Sequence, residues 1–123
     1  AIVLSPQCPA DCWWDLNTQE GDENGWLGAA IRLPRTTMAQ YRCDKSRVYV
    51  AGLSIDGYAT WSVLERYGEL FAASVPICGW GNSAMGDQLA KIPIWGLQRN
   101  SYFSKSYIIE KWIKKCRLHR NSI

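Results

Sequence analysis

Arg47-Val48-Tyr49-Val50-Ala51-Gly52-Leu53-Ser54-Ile55-Asp56-Gly57, continued by Tyr58 to Tyr67, is the stretch that decides the fold. Arg47 to Ala51 is rich in β-branched and aromatic residues, which favour a pleated, half-buried strand. Gly52 to Gly57 has the composition of a tight turn. Tyr58 to Tyr67 then puts Tyr58, Trp61 and Leu64 on one helical face, with Gly68 as a stop. The unit reads as strand, sharp turn, helix, with a serine at the turn.

Outward from this unit the pattern repeats. Phe71 to Ile77 is a buried strand, Gly79 to Gly86 a glycine-containing loop that carries Trp80, and Ile92 to Leu97 a further strand. Ser106 to Cys116 is an amphipathic helix. Ile108, Ile109, Trp112, Ile113 and Cys116 recur at helical spacing, and Lys111, Lys114 and Lys115 lie outside that stripe. Upstream, Ile2 to Ser5 is a short apolar strand stopped by Pro6 and Pro9. Trp13 and Trp14 follow, and Thr18 to Gly28 reads as a surface loop. In Leu27 to Tyr41 the apolar spacing is helical in places, but Pro34 interrupts it, which predicts a helix starting at or after Pro34. Strands alternating with helices predict an α/β fold with a mostly parallel sheet flanked by helices.

The chain has 123 residues, enough for one small domain. The opening run Ala1-Ile2-Val3-Leu4 reads as the middle of a strand, so the expectation is a single partial domain over residues 1–123. The net charge of +3 is too mild to imply a nucleic-acid partner. No apolar run approaches the ~20 residues of a membrane-spanning helix, so no membrane partner is expected. The five cysteines are Cys8, Cys12, Cys43, Cys78 and Cys116, an odd number that rules out complete pairing within the chain. Cys8 and Cys12 lack a second pair at zinc-like spacing, and His119 is the single histidine, so no metal and no cofactor is expected.

A serine lifted clear of a sheet between a strand and a helix has a specific chemical use. The helix start offers free backbone N–H groups and the positive end of a dipole. These stabilise the oxyanion formed when serine attacks a carbonyl. Such a turn requires small residues two before and two after the serine. Gly52 fits and Asp56 does not. The local Gly-x-Ser pattern also fits a plain turn, and its neighbours decide between the two.

Those neighbours are Ser5-Pro6-Gln7-Cys8-Pro9, Trp13-Trp14, Tyr41 to Ser54, Gly57-Tyr58-Ala59-Thr60-Trp61, Val75-Pro76-Ile77-Cys78-Gly79 and Ile92-Pro93-Ile94-Trp95, in that order. The series resembles the feruloyl-esterase and polyhydroxybutyrate-depolymerase-like branch of the α/β-hydrolases, also described as predicted peptidases or phospholipase/carboxylesterase-like proteins. The resemblance implies an α/β-hydrolase fold and hydrolysis of a small-molecule ester through a Ser–His–Asp triad. It makes Ser54 the nucleophile and the backbone N–H of Ile55 one oxyanion donor. Trp13, Trp14 and Trp80 would lie near the active-site face, as walls of a groove or simply as packing.

The pattern departs from the family at three points. The family has glycine where this chain has Asp56. A carboxylate about 6 Å from a developing oxyanion, at an effective dielectric near 20, repels it by roughly 3 kcal/mol. No aspartate follows Asp87, and Glu110 is the only acid beyond it. His119 sits in a basic tail with Lys114, Lys115, Arg117 and Arg120, and reads as a solvated residue. The resemblance also implies that the strands before Ile2 and the histidine-bearing region are absent. Two readings stay open: a serine carboxylesterase, and a non-catalytic binding or interaction domain that keeps the esterase scaffold.

Overall fold

The computed structural model describes residues 1–14 and 25–98. Helix α1 (Trp26–Gln40) leads to strand β1 (Tyr49–Leu53), helix α2 (Ile55–Tyr67), strand β2 (Ala73–Ile77) and the short helix α3 (Gly86–Leu89). β1 and β2 pair in parallel, with Tyr49 opposite Ala73 and Leu53 opposite Ile77. Residues 93–97 extend this sheet on the far side of β2. Parallel bridges join Ser74 to Ile94 and Ile77 to Leu97. Ser74 N–H donates to Pro93 O at 3.0 Å and Cys78 N–H to Leu97 O at 2.8 Å. The expected α/β architecture of parallel strands and flanking helices is the observed one.

α2 is the organising element because two of its faces are buried. Ala59 and Val63 join Trp14, Leu27 and Ile31 in one cluster, which seats α2 against α1. Trp61 and Leu64 join Leu89 in a second cluster, with Val50, Phe71, Ile92 and Ile94 packed around it. Leu64 and Leu89 are 0% exposed, and burying each contributes about 1.5–3 kcal/mol. The strands alternate accordingly. Ser74 and Pro76 of β2 are buried, while Tyr49, Ala51 and Leu53 of β1 are exposed on the opposite face.

Two expectations from the sequence are corrected. Helix α1 begins at Trp26 and runs through Pro34 without a break. Burial of Leu27, Gly28 and Ile31 anchors the turns before the proline, and this tertiary packing outweighs the hydrogen bond that proline cannot make. Trp26 to Gly28, expected in the surface loop, are therefore helical, and residues 18–24 of that expected loop lie outside the described residues. Ile2 to Ser5 is not a strand, and these residues are exposed. A strand needs a backbone partner, and a cavity of about 1070 Å³ lies between this segment, α1 and the outer edge of β1. The expected strand Ile92–Leu97 is reduced to two isolated parallel bridges, at Ile94 and Leu97. The expected helix Ser106–Cys116, together with Glu110 and His119, lies outside the described residues.

Candidate active site

Ser54 sits between the last residue of β1 and the first of α2 with φ 59° and ψ −115°. This left-handed conformation costs a non-glycine residue on the order of 1–3 kcal/mol, so the surroundings must impose it. Three contacts do so. Ser54 N–H donates to Ile77 O at 2.8 Å, tying the turn to the end of β2. Ser54 O accepts from Tyr58 N–H at 3.1 Å, which starts α2. Gly52 lets the first turn of α2 fold back over β1, because a Cβ there would collide with the carbonyl oxygen of Asp56 and approach the Thr60 hydroxyl to 2.6 Å. The Ser54 side chain is exposed and caps no helix N–H. Ile55 opens α2, a position whose N–H has no acceptor within the helix.

β2 ends in a matching way. Cys78 follows it with φ 54°. Gly79 then packs backbone to backbone on Gly57, and a Cβ on Gly79 would lie 2.5 Å from Tyr58 N. The next residues are anchored too: Asn82 N–H donates to Glu65 Oε1 at 2.6 Å. Burial holds the Glu65 carboxyl above its usual range, partly offset by this hydrogen bond and by Arg66. Trp80, carried by this pinned loop, is 59% exposed and meets Tyr58 edge to face, with ring centroids 4.7 Å apart. Desolvation raises the Tyr58 hydroxyl above its usual range.

The three tryptophans singled out in the sequence separate. Trp13 is exposed and Trp80 stands beside the Ser54 helix. Trp14 is 6% exposed and belongs to the core between α1 and α2. Only its indole nitrogen reaches the turn, donating to Asp56 Oδ1 at 2.6 Å. No pattern in the sequence pairs Trp14 with Asp56 across 42 positions. Asp56 lies in the first turn of α2, where a carboxylate suits the helix dipole. The large cavity touches Asp56 and Trp14 but runs along β1, and Ser54 is not part of its wall.

Among the described residues no three His, Cys, Asp or Glu side chains are grouped to hold a metal ion. Among them, too, no helix is long and apolar enough to cross a membrane.

Parallel strands, a strained serine at the carboxyl end of β1 and a helix rising directly from it give this chain an α/β-hydrolase-type fold. No family model matches the sequence. Its relatives are esterases. It is 30% identical over 115 residues to a protein named probable acetylxylan esterase A from Aspergillus fumigatus, covering 77% of this chain and 31% of the relative. It is 32% identical over 82 residues to acetylxylan esterase A of Emericella nidulans, covering 63% of this chain and 27% of the relative. The crystal structure of a thermostable esterase matches 93% of this chain and 31% of its own, with a TM-score of 0.76 at 32% identity. The chain is thus related to α/β-hydrolase-fold esterases and spans under a third of their length.

Proposed function

We propose that this chain is a single partial domain carrying the nucleophile of a serine carboxylic-ester hydrolase, with Ser54 as the attacking residue. The observation that carries the reading is the exposed Ser54 held at φ 59° between a parallel strand and a helix N-terminus. Ser54 Oγ attacks the ester carbonyl and its proton passes to a base. The carbonyl oxygen becomes an oxyanion that accepts from the Ile55 N–H. Collapse expels the alcohol and leaves an acyl-enzyme, which water then cleaves. Among the described residues there is no histidine to act as that base.

The substrate is a small-molecule ester. The names of two relatives favour an acetyl ester on a sugar, and the ordered motifs around Ser54 favour the feruloyl-esterase and polyhydroxybutyrate-depolymerase-like branch. Exposed Trp13 and Trp80 form the groove in this reading, while Trp14 supports it from the core.

One observation favours the alternative, a non-catalytic binding or interaction domain derived from an esterase. Asp56 places a carboxylate two residues from Ser54, where it opposes an oxyanion. Hydrolysis of p-nitrophenyl acetate by the 123-residue chain and by Ser54→Ala separates the two. Turnover that disappears in the variant supports the hydrolase. A folded chain with no turnover above the variant supports the binding domain.

A further inference from the structure

We propose that Trp14 is a positioning residue for the Ser54 site, whose indole N–H holds the Asp56 carboxylate off the oxygen that becomes charged when Ser54 attacks an ester. This rests on the reading of Ser54 as nucleophile and assigns a task to a residue that touches no reacting atom.

The physical problem is set by the sequence. The N-terminus of α2 supplies positive potential for an oxyanion, through the Ile55 N–H and the helix dipole. Asp56 puts a negative charge in that same turn. Left free, the carboxylate would lower the potential the oxyanion needs and could itself settle on the open N–H groups.

The structure supplies a restraint. Trp14 Nε1 donates to Asp56 Oδ1 at 2.6 Å, a short bond of the charge-assisted kind. The donor cannot wander, because the Trp14 ring is 6% exposed among Leu27, Ile31, Ala59 and Val63. The Asp56 backbone is fixed as well, its carbonyl accepting the Thr60 hydroxyl at 2.7 Å. The bond therefore draws the carboxylate toward the α1 flank of α2, where Trp14 packs. Ser54 N–H is tied to a different element, donating to Ile77 O at the end of β2. A buried indole N–H needs an acceptor in any case; positioning is what the charge on Asp56 adds, and a variant without that charge isolates it.

The test compares Trp14→Phe, Asp56→Glu, Asp56→Asn and the double variant Trp14→Phe/Asp56→Asn in the 123-residue chain, using p-nitrophenyl acetate. Trp14→Phe keeps the ring and removes the N–H. Asp56→Glu leaves the core untouched and moves the carboxylate off the indole, so it serves if Trp14→Phe does not fold. Each is expected to lower kcat by about 10- to 100-fold with KM unchanged, the size of one charge acting near a transition state. The double variant is expected to recover the kcat of Asp56→Asn, since removing the charge removes the need for the restraint. A lost packing contact would not be rescued in this way. In parallel, the Trp14 indole proton resonance is expected to move upfield in Asp56→Asn. Ser54-dependent turnover that Trp14→Phe and Asp56→Glu leave unchanged overturns the positioning role alone. A fall in Trp14→Phe that the double variant does not recover also overturns it. No Ser54-dependent turnover in the parent chain overturns the nucleophile reading, and this one with it.

Discussion

Gly52 and Asp56 are in backbone contact, the α-carbon of one facing the carbonyl oxygen of the other with no room for a side chain between them. This contact closes the turn that displays Ser54. Gly52→Ala is expected to push the first turn of α2 off β1 and to destabilise the chain by about 2–4 kcal/mol, as overpacking against backbone does. Urea unfolding measures the loss, and an unchanged midpoint would mean that the turn is looser than described.

Ser74 offers a change in the opposite direction. Its side chain is 2% exposed and its hydroxyl has no hydrogen-bond partner among the described residues. An unmatched buried hydroxyl is costly, so Ser74→Ala is expected to stabilise the chain by about 1 kcal/mol. A higher urea midpoint with an unchanged slope is the expected result.

Glu65 makes stability depend on pH. Desolvation raises its carboxyl above the ordinary value of 4.5, against the opposing effects of the Asn82 N–H and Arg66. The folded state thus keeps a proton that the unfolded chain has already released. The contribution is fully present below pH 4.5 and declines as pH rises through the folded value. Glu65→Gln, which retains an acceptor for Asn82, is expected to flatten this part of a stability-against-pH profile. A profile identical to the parent's would remove Glu65 as its source.

Trp80 tests the groove. Its indole is exposed and held edge to face on Tyr58. Trp80→Ala is expected to change stability by less than about 1 kcal/mol. It should raise KM several-fold for a ring-bearing ester while leaving that for ethyl acetate unchanged. Equal effects on both esters would place Trp80 outside the groove.

The strand, turn and helix around Ser54 were legible because each has a local cause: β-branched residues in Val48 to Val50, a glycine at 52, and apolar spacing through Trp61 and Leu64. The course of α1 was not, because the anchoring of Leu27 and Ile31 in a distant core decides whether a helix survives Pro34. Ile2 to Ser5 failed as a strand for the same kind of reason, since an apolar run is a strand only where another backbone lies beside it. At the site, the roles of Ser54 and Ile55 come from the resemblance to the esterase family and stand as proposals. The partnership of Trp14 with Asp56 was not legible, because it depends on the packing of α1 against α2.

The most direct test of the central claim is mass spectrometry of the 123-residue chain after treatment with a fluorophosphonate. One adduct per chain is expected, located on Ser54 and absent from Ser54→Ala. A folded chain that stays unlabelled, or that labels equally in Ser54→Ala, would contradict that claim.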